Sequence, residues 1–486
     1  MNIIFYDFET SGRGRFDKNN KTMNGQWDQI LQVGAILCNE NLDELDRFEM
    51  KCSLNKSLIP HPAALLVNGL SMSSIRSSNN ISNYTLVYEM TEKLSQWGPA
   101  IFVGYNSISF DEEFLRNALF QNLHENPYLT QINGNKRADV LNIARAASLY
   151  IPTCLKIPDG DGKFKLENLA PANNISSQDA HDAMADVIMT IEISKIIKNQ
   201  FPEFWENSLL TSSKIGVIEL LEKSNILCHH ESYYGKINPF VVKCIGKMVI
   251  KNRTDQFILF DLKHDPDDYL SSSYSELENL VFKDKLCRKI KANTQPILMG
   301  PENAMNFPSY EKIGIDEIER RANVLKENQE FCDKIIQIQI EKETNKDYSQ
   351  EDIFEEESLF SGGFPSYGDK LIMKKFHSLD WDKKKLILDD FEDKRYSYLG
   401  KKIIYDYDPK LLNKDDREFI AKIISSRHTS TNTEKWLTIP EAFAAIDDLR
   451  EKHIENERNL EILDDYNSHL EKMLTGYQSA TLTYDD

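Results

Sequence analysis

An apolar segment near the N-terminus, Phe5-Tyr6-Asp7-Phe8-Glu9, ends in two carboxylates and constrains the fold more than any other feature. Alternate side chains of a β-strand leave the same face, so the carboxylates of Asp7 and Glu9 can bind one cation together. The three aromatic neighbours of these acids indicate a buried strand end rather than a solvated one. The sequence therefore predicts a cation site at the end of a buried strand.

Hydrophobic patterning divides the 486 residues into three parts. Residues 1–200 alternate predicted strands and helices, which is typical of an α/β layer architecture with a mixed sheet. Between residues 226 and 262, segments rich in Val, Ile, Tyr and Phe indicate short antiparallel strands, and thus a small barrel or sandwich within 203–350. An acidic run at 351–357 leads into residues 355–486, which are predicted to be helical almost throughout.

Individual elements follow from the same patterns. The predicted strands of the first part are 2–8, 30–38 and 101–105, and its predicted helices are 85–96, 112–123, 139–148 and 180–197. Single long helices are predicted at 316–341 and at 440–474.

Composition is ordinary for a globular protein, with 41% hydrophobic and 28% charged residues. No apolar run approaches the roughly 18 residues of a membrane helix, and residues 1–6 lack the basic segment of a secretory signal. The seven cysteines are scattered and never form a CxxC pair, which favours reduced thiols in a cytoplasmic protein. A net charge of −19 argues against a large basic surface for duplex DNA, so nucleic-acid contacts are expected to be local.

Later segments add residues suited to metal-dependent chemistry: Asp111, and the group His181, Asp182 and Asp186. Two Mg²⁺ ions about 4 Å apart can activate water and stabilise the leaving oxygen in phosphodiester hydrolysis, and Mg²⁺ prefers carboxylate ligands. A histidine suits the role of general base. Asp111 suits a helix cap equally well, and helical spacing puts Asp182 rather than His181 one turn from Asp186. Spacing alone leaves the choice between Asp182 and His181 open.

In this order, Asp-x-Glu, Asp and His-x4-Asp resemble the pattern of the DEDD superfamily of 3′→5′ exonucleases. Longer stretches are similar to the bacterial exonuclease I family, the single-strand-specific 3′→5′ exodeoxyribonucleases of the DEDDh branch. These stretches are Asp7-Phe8-Glu9-Thr10, Gly104-Tyr105-Asn106, Phe110-Asp111-Glu112-Glu113, Arg116-Asn117, 164–169, 180–187, 359–364 and 393–396. They span almost the whole length of the chain. Residues 12–26, 150–165 and the last 60 depart from the family pattern.

The resemblance implies a function and a site. The catalytic residues would be Asp7, Glu9, Asp111, His181 and Asp186, with the four carboxylates binding two Mg²⁺ ions, for which Mn²⁺ can substitute. His181, not Asp182, would be the general base. The substrate would be single-stranded DNA, cleaved from its 3′ end to 5′-mononucleotides in DNA repair and recombination.

The resemblance also implies an architecture and a set of substrate contacts. Residues 1–200 would form an RNase H-like DEDDh exonuclease domain, 203–350 an SH3-like barrel and 355–486 a helical domain. The implied substrate-binding residues are Asn68, Gly69, Tyr105, Asn106, Lys394, Arg395, Lys401 and Lys402, the last four beside Tyr396 and Tyr398, whose rings can stack on bases. Single-stranded-DNA-binding protein is an implied partner, and a monomer is expected because the sequence shows no coiled-coil seam or repeat.

Two alternatives stay open. The same metal chemistry serves RNA, so a DEDDh enzyme acting on RNA or short oligonucleotides is one; such enzymes are typically a single small domain. The other is a catalytically inactive nuclease fold that only binds nucleic acid, for which the loss of at least one catalytic position would be expected. All five positions are present in this chain.

Overall fold

A computed structural model describes residues 1–17, 22–178, 181–233, 235–251, 254–345 and 353–484; the side chains of 15–17, 22–24 and 478–484 are not described. Lys18 in the divergent 12–26 segment, Ala180 at the predicted start of a helix, and residues 351 and 352 of the acidic run lie outside this set.

The N-terminal part is built on a five-stranded mixed sheet with strand order β5-β4-β1-β6-β7. β1 pairs antiparallel with β4 and parallel with β6, and β7 continues the parallel side. A separate ribbon joins β2 and β3. The strands are β1 (Asn2–Thr10), β2 (Arg15–Asp17), β3 (Thr22–Asn24), β4 (Ile30–Cys38), β5 (Glu44–Lys51), β6 (Ala100–Gly104) and β7 (Lys136–Asp139).

Helices cover both faces of this sheet. They are α1 (Pro62–Val67), α2 (Met72–Ile75), α3 (Asn83–Trp97), α4 (Asp111–Gln121), α5 (Val140–Tyr150), α6 (Leu166–Ala172) and α7 (Ala183–Gln200). Ile3 and Phe5 of β1 pack with α5 and α7, whereas Ile4 and Tyr6 pack with α3 and α4. The alternation of β1 side chains therefore contributes to two cores, one on each side of the sheet.

The middle part contains a four-stranded antiparallel sheet with strand order β11-β10-β9-β8. A bridge between Cys228 and Met299 adds the segment after β11 to the free side of β8. Its elements are α8 (Pro202–Leu210), α9 (Lys214–Lys223), β8 (Leu227–Tyr233), β9 (Lys236–Met248), β10 (Gln256–Asp261), α10 (Tyr274–Lys283), β11 (Cys287–Lys291), α11 (Pro308–Glu311), α12 (Ile315–Glu327) and α13 (Gln329–Thr344).

The C-terminal part is helical and completes hydrophobic clusters of the N-terminal part. Leu65 packs with Leu463 in one cluster, and Phe120 packs with Phe376 in another. The hydroxyl of Tyr466 donates to the carbonyl of Pro60 at 2.6 Å. Its helices are α14 (Tyr367–Ser378), α15 (Trp381–Lys384), α16 (Lys394–Tyr407), α17 (Lys414–Thr429), α18 (Ile439–Lys452) and α19 (Glu457–Tyr484).

The mixed sheet and the helical C-terminal part confirm the corresponding sequence predictions. The two long helices predicted at 316–341 and 440–474 are wrong, because each is two helices. The first is interrupted at Asn328, whose φ of −113° and ψ of 61° lie outside the helical region, and the second at residues 453–456. The seven cysteines are all free. None of the described helices is both long and apolar enough to cross a membrane.

Candidate active site

Three carboxylates converge at the end of β1. Asp7, Glu9 and Asp186 each offer an oxygen atom, and the three atoms lie within 4.8 Å of one another. The last residue of β1 paired with β6 is Phe5, opposite Val103, so Asp7 and Glu9 extend past the end of the neighbouring parallel strand. The strand end predicted from the sequence is therefore where the acidic cluster forms.

A glycine brings the third carboxylate to the strand. Gly34 of β4 is the register partner of Asp7. A Cβ atom at Gly34 would lie 2.7 Å from the backbone of Ala183 and Met184, so only glycine lets the first turn of α7 approach the sheet this closely. Asp186 lies in that first turn. The close approach of α7 to β4 therefore places Asp186 beside Asp7 and Glu9.

Asp111 lies next to this cluster, at the first residue of α4. Its carboxylate accepts a hydrogen bond from the backbone N–H of Phe8 at 3.2 Å, and the residue is 3% exposed. The residue that precedes the helix is Phe110, so Asp111 is not the helix cap that the sequence left open. Its oxygen atoms are outside the 4.8 Å group, but its charge acts on Asp7.

The site favours protonated carboxyl groups when no cation is bound. Burial, with added repulsion from Asp186 and Asp111, raises the pKa of Glu9 to about 9. Burial also raises the pKa of Asp186 to about 6 and holds those of Asp7 and Asp111 well above their usual range. A bound divalent cation opposes these shifts, because its positive charge favours the ionised carboxylates. The donor set therefore fits a divalent metal site.

The structure separates the roles of His181 and Asp182. Asp182 caps α7 by accepting from the N–H of Met184, and it also accepts hydrogen bonds from Gln32 at 2.9 Å and Lys51 at 3.1 Å. His181 precedes the cap, with φ at +70°. Its backbone N–H donates to Asp186 at 3.3 Å, and its side chain is 39% exposed. The imidazole is thus accessible beside the cluster, whereas Asp182 is engaged in holding α7.

Glu167, at the start of α6, is a site residue that the sequence reasoning did not assign. Its carboxylate lies 3.1 Å from Nε2 of His181. The contact joins residues fourteen positions apart, so neither helical nor strand spacing indicates it. The only signal was that Glu167 lies within one of the stretches that resemble the exonuclease I family.

Asp139, the last residue of β7, holds the loop that joins β6 to α4. Its carboxylate caps α5 and accepts hydrogen bonds from the backbone N–H groups of Asn106, at 2.8 Å, and Ile108, at 3.1 Å. Asn106 has a φ of +63°, and its side chain is exposed. The hydroxyl of Tyr105 donates to the carbonyl of Phe164 at 2.5 Å. Of the two predicted substrate-binding residues in this loop, Asn106 therefore faces solvent, whereas Tyr105 holds the loop against Phe164.

The predicted substrate-binding pair Asn68 and Gly69 lies beside the end of β1. Asn68 donates from its amide to the carbonyl of Thr10 at 3.2 Å. Gly69 has a φ of +61°, and a Cβ atom there would lie 2.9 Å from Nη2 of Arg458 on α19. The loop that contains Asn68 and Gly69 thus meets the C-terminal part close to Glu9.

The predicted group Lys394, Arg395, Lys401 and Lys402 is not a free cationic surface. Arg395 pairs with Asp393 at 2.6 Å, and Lys401 pairs with Asp416 at 2.6 Å. Lys402 is 9% exposed and faces Asp406, while Lys394 donates to the carbonyl of Phe391.

The aromatic residues of the same group are also engaged. Tyr396 is 1% exposed, so the prediction that its ring stacks on a base is wrong. Tyr398 donates to Glu356 at 2.8 Å. Arg395, Lys401 and Tyr398 hold the helical part together, because their partners come from that same part, whereas Tyr396 packs against Phe120 of α4.

Two family models match this chain. The family model described as Exonuclease matches residues 4–194, and the model described as Exonuclease I C-terminal domain matches residues 354–473. Exodeoxyribonuclease I of Buchnera aphidicola subsp. Schizaphis graminum is 26% identical over 421 residues, which cover 82% of each chain.

Two solved structures are similar to nearly the whole chain. Exonuclease I from Methylocaldum szegediense has a TM-score of 0.78 at 22% identity, and E. coli exonuclease I in complex with a dA16 oligonucleotide has a TM-score of 0.79 at 20% identity. Both comparisons cover 97% of this chain and 99% of the other. The fold is thus shared across all three parts.

Proposed function

The chain belongs to the exonuclease I family, and from this premise we propose that it removes 5′-mononucleotides from the 3′ end of single-stranded DNA. The observation that carries the proposal is the convergence of Asp7, Glu9 and Asp186 beside an exposed His181. All five positions of the DEDDh pattern thus lie in or beside one cluster, which supports an active enzyme over an inactive binding module. The dA16 complex of the E. coli protein supports a single strand as substrate.

We assign Asp7, Glu9, Asp111 and Asp186 as the residues that hold two Mg²⁺ ions, with Mn²⁺ as a substitute. Bound metal supplies an activated water and stabilises the charge on the leaving oxygen. Asp7 and Glu9 orient their oxygens from a rigid strand, and Asp186 does so from the first turn of α7. The positions of these ligands are therefore set before substrate binds.

His181 takes the proton from the attacking water. Its Nε2 lies 3.1 Å from the carboxylate of Glu167, which accepts from the Nε2–H group and leaves Nδ1 free to receive a proton. Glu167 is thus a positioning residue that acts through His181.

We propose three domains: the DEDDh exonuclease at 1–200, an SH3-like barrel at 203–350 and the helical domain at 355–486. The antiparallel β8–β11 sheet and the Cys228–Met299 bridge support a closed barrel. The family supports a cytoplasmic, monomeric repair enzyme that meets single-stranded-DNA-binding protein. Sedimentation of the pure protein, alone and with that partner, tests the monomeric state and the partner.

The proposed function is tested with three 3′-labelled substrates of equal sequence: single-stranded DNA, duplex DNA and RNA. Each is incubated with the protein and Mg²⁺, and the products are separated by chromatography. We expect labelled 5′-mononucleotide from single-stranded DNA at a rate far above that from the other two. Faster release from RNA would identify a DEDDh exoribonuclease instead, and release from none would leave a binding module.

A further inference from the structure

The outer edge of the five-stranded sheet is covered by the middle part. β7 is the last strand in the sheet order, so its N–H groups that point away from β6 need acceptors from outside the sheet. The backbone N–H of Arg137 donates to the carbonyl of Ser212 at 2.9 Å. Two residues further along β7, the backbone N–H of Asp139 donates to Oε1 of Gln295 at 2.7 Å. Both acceptors come from the middle part, and the second is a side chain.

Gln295 is held in one conformation at the boundary between the two parts. The residue is 2% exposed, and its φ of +50° lies in the left-handed region, which residues with a Cβ atom seldom adopt. Its side-chain amide donates to the carbonyl of Ser208 on α8 at 3.4 Å, which leaves Oε1 to accept from Asp139. A buried residue kept in such a backbone conformation points to a functional role nearby.

Asp139 connects Gln295 to the loop beside the active site. The carboxylate of Asp139 accepts hydrogen bonds from the backbone N–H groups of Asn106 and Ile108, and Asp139 is itself 2% exposed. The same loop begins after β6 and ends at Asp111, the first residue of α4. One buried residue therefore joins Gln295 to the loop that presents Asn106.

Asp111 has a second anchor that does not involve Asp139. Its carboxylate accepts from the backbone N–H of Phe8 at 3.2 Å, and Phe8 belongs to β1, the central strand of the sheet. Loosening Asp139 would therefore move Asn106 while Asp111 stays beside the metal site. Substrate binding, rather than the metal-dependent step, should depend on Gln295.

We propose that Gln295 is a positioning residue that the middle part supplies to the nuclease site. This inference rests on the proposed function and on the predicted contact of Asn106 with the strand. Gln295 acts through Asp139, which holds Asn106 at a φ of +63° with its side chain exposed. The middle part thereby sets the affinity of the nuclease site for the 3′ end of a strand of any length.

Kinetics of the full-length protein test this proposal. Gln295→Met keeps the length of the side chain but removes the acceptor for the N–H of Asp139. With 3′-labelled single strands and Mg²⁺, we expect KM to rise about tenfold, the order of one lost hydrogen bond, while kcat changes less than about twofold. The rise should be equal for a hexanucleotide and for a strand several times longer, because the loop acts at the 3′ end. The Mg²⁺ concentration that gives half the maximal rate should stay the same.

Two further variants control for effects on folding. Gln339→Met is the matched control, because Gln339 is also a buried glutamine of the middle part, on α13, and this variant should leave KM unchanged. Gln295→Asn is the second test variant. Asparagine adopts a positive φ more readily than glutamine, but its side chain is one methylene shorter and loses the bond to Asp139. The melting temperature of each variant shows that it is folded.

A double-mutant cycle tests whether the effect passes through the loop. Asn106→Ala alone should raise KM, and adding Gln295→Met should raise it little further, because the side chain that Gln295 positions is already gone. Fully additive penalties would overturn the inference, because Gln295 would then act on substrate binding by another route.

Hydrogen exchange separates this inference from the proposed function, because it needs no substrate. In Gln295→Met, the backbone N–H groups of Asn106 and Ile108 should exchange about tenfold faster, and those of β8 should exchange as in the wild type. Unchanged exchange in the loop, or a wild-type KM in both folded Gln295 variants, would overturn the inference. A wild-type protein that neither binds nor degrades single strands would instead refute the proposed function, and the exchange rates would still decide whether Gln295 holds the loop.

Discussion

Replacing Asp186 by Asn should stabilise the metal-free protein at neutral and alkaline pH. Burial raises the pKa of Asp186 from 3.8 to about 6, so the folded state binds a proton more readily than the unfolded state. The free energy of unfolding of the wild type therefore falls as pH rises from about 4 to about 6, and stays lower above that range. A shift of about 2 pKa units corresponds to about 3 kcal/mol.

The substitution also has a cost. The charged carboxylate of Asp186 accepts a hydrogen bond from the backbone N–H of His181. The amide that replaces this carboxylate in Asp186→Asn would accept a weaker hydrogen bond from the same N–H, which lowers the free energy of unfolding by about 1 kcal/mol. We therefore expect the free energy of unfolding of metal-free Asp186→Asn to exceed that of the wild type by about 2 kcal/mol at pH 8, with no gain at pH 4. With Mg²⁺ present the order should reverse, because only the wild type retains the full ligand set.

Urea denaturation in a chelator at pH 4, 6 and 8 measures this difference. Asp182→Asn is the control of opposite sign. Burial acts to raise the pKa of Asp182, but hydrogen bonds from Gln32 and Lys51 outweigh burial and lower that pKa. The charged carboxylate therefore stabilises the fold above the unfolded pKa, and this stability is lost as pH falls. A metal-free Asp186→Asn protein that is less stable than the wild type at pH 8 would refute the argument from crowded carboxylates.

Three further substitutions test separate parts of the structure. His181→Asn should lower kcat by roughly 10²–10⁴ with an unchanged Kd for DNA; an unchanged kcat in stopped-flow assays would exclude it as the base. Gly69→Ala should raise KM, because its Cβ would meet Arg458 at 2.9 Å, whereas Gly314→Ala, with a similar positive φ and no atom within 4 Å, should cost only stability. Glu112→Gln should destabilise the fold by about 3–5 kcal/mol in chemical denaturation, because it breaks the buried ion pair with Arg137, and a loss below about 1 kcal/mol would contradict this.

The strand end and its carboxylates could be predicted because the determining pattern is local. Alternation within β1 is visible in five residues, and β4 was predicted with its observed bounds, 30–38. The contacts that complete the site are long-range. Gly34 lets α7 pack closely against β4, and Glu167 contacts His181. Nothing in the sequence near Gly34 or Glu167 specifies which residue each of them contacts.

The basic group 394–402 shows that a charge pattern alone does not identify a substrate contact. Clustered cations look the same in sequence whether they face a phosphate or an acid on the next helix. Here Asp393 and Asp416 supply the partners, and Asp416 comes from a different helix, α17. The long helices at 316–341 and 440–474 failed for a related reason, because an apolar periodicity continues across a break that only the backbone angles reveal.

The central claim is that the cluster of Asp7, Glu9 and Asp186 holds the metal that cleaves DNA from its 3′ end. The most direct test is to follow one single strand labelled at its 3′-terminal nucleotide, with the wild type and with Asp7→Asn, in chelator and in Mg²⁺. The account predicts that labelled 5′-mononucleotide is the first product, only with the wild type and only with Mg²⁺. Release of the label as a longer oligonucleotide, or at an equal rate by Asp7→Asn, would contradict it.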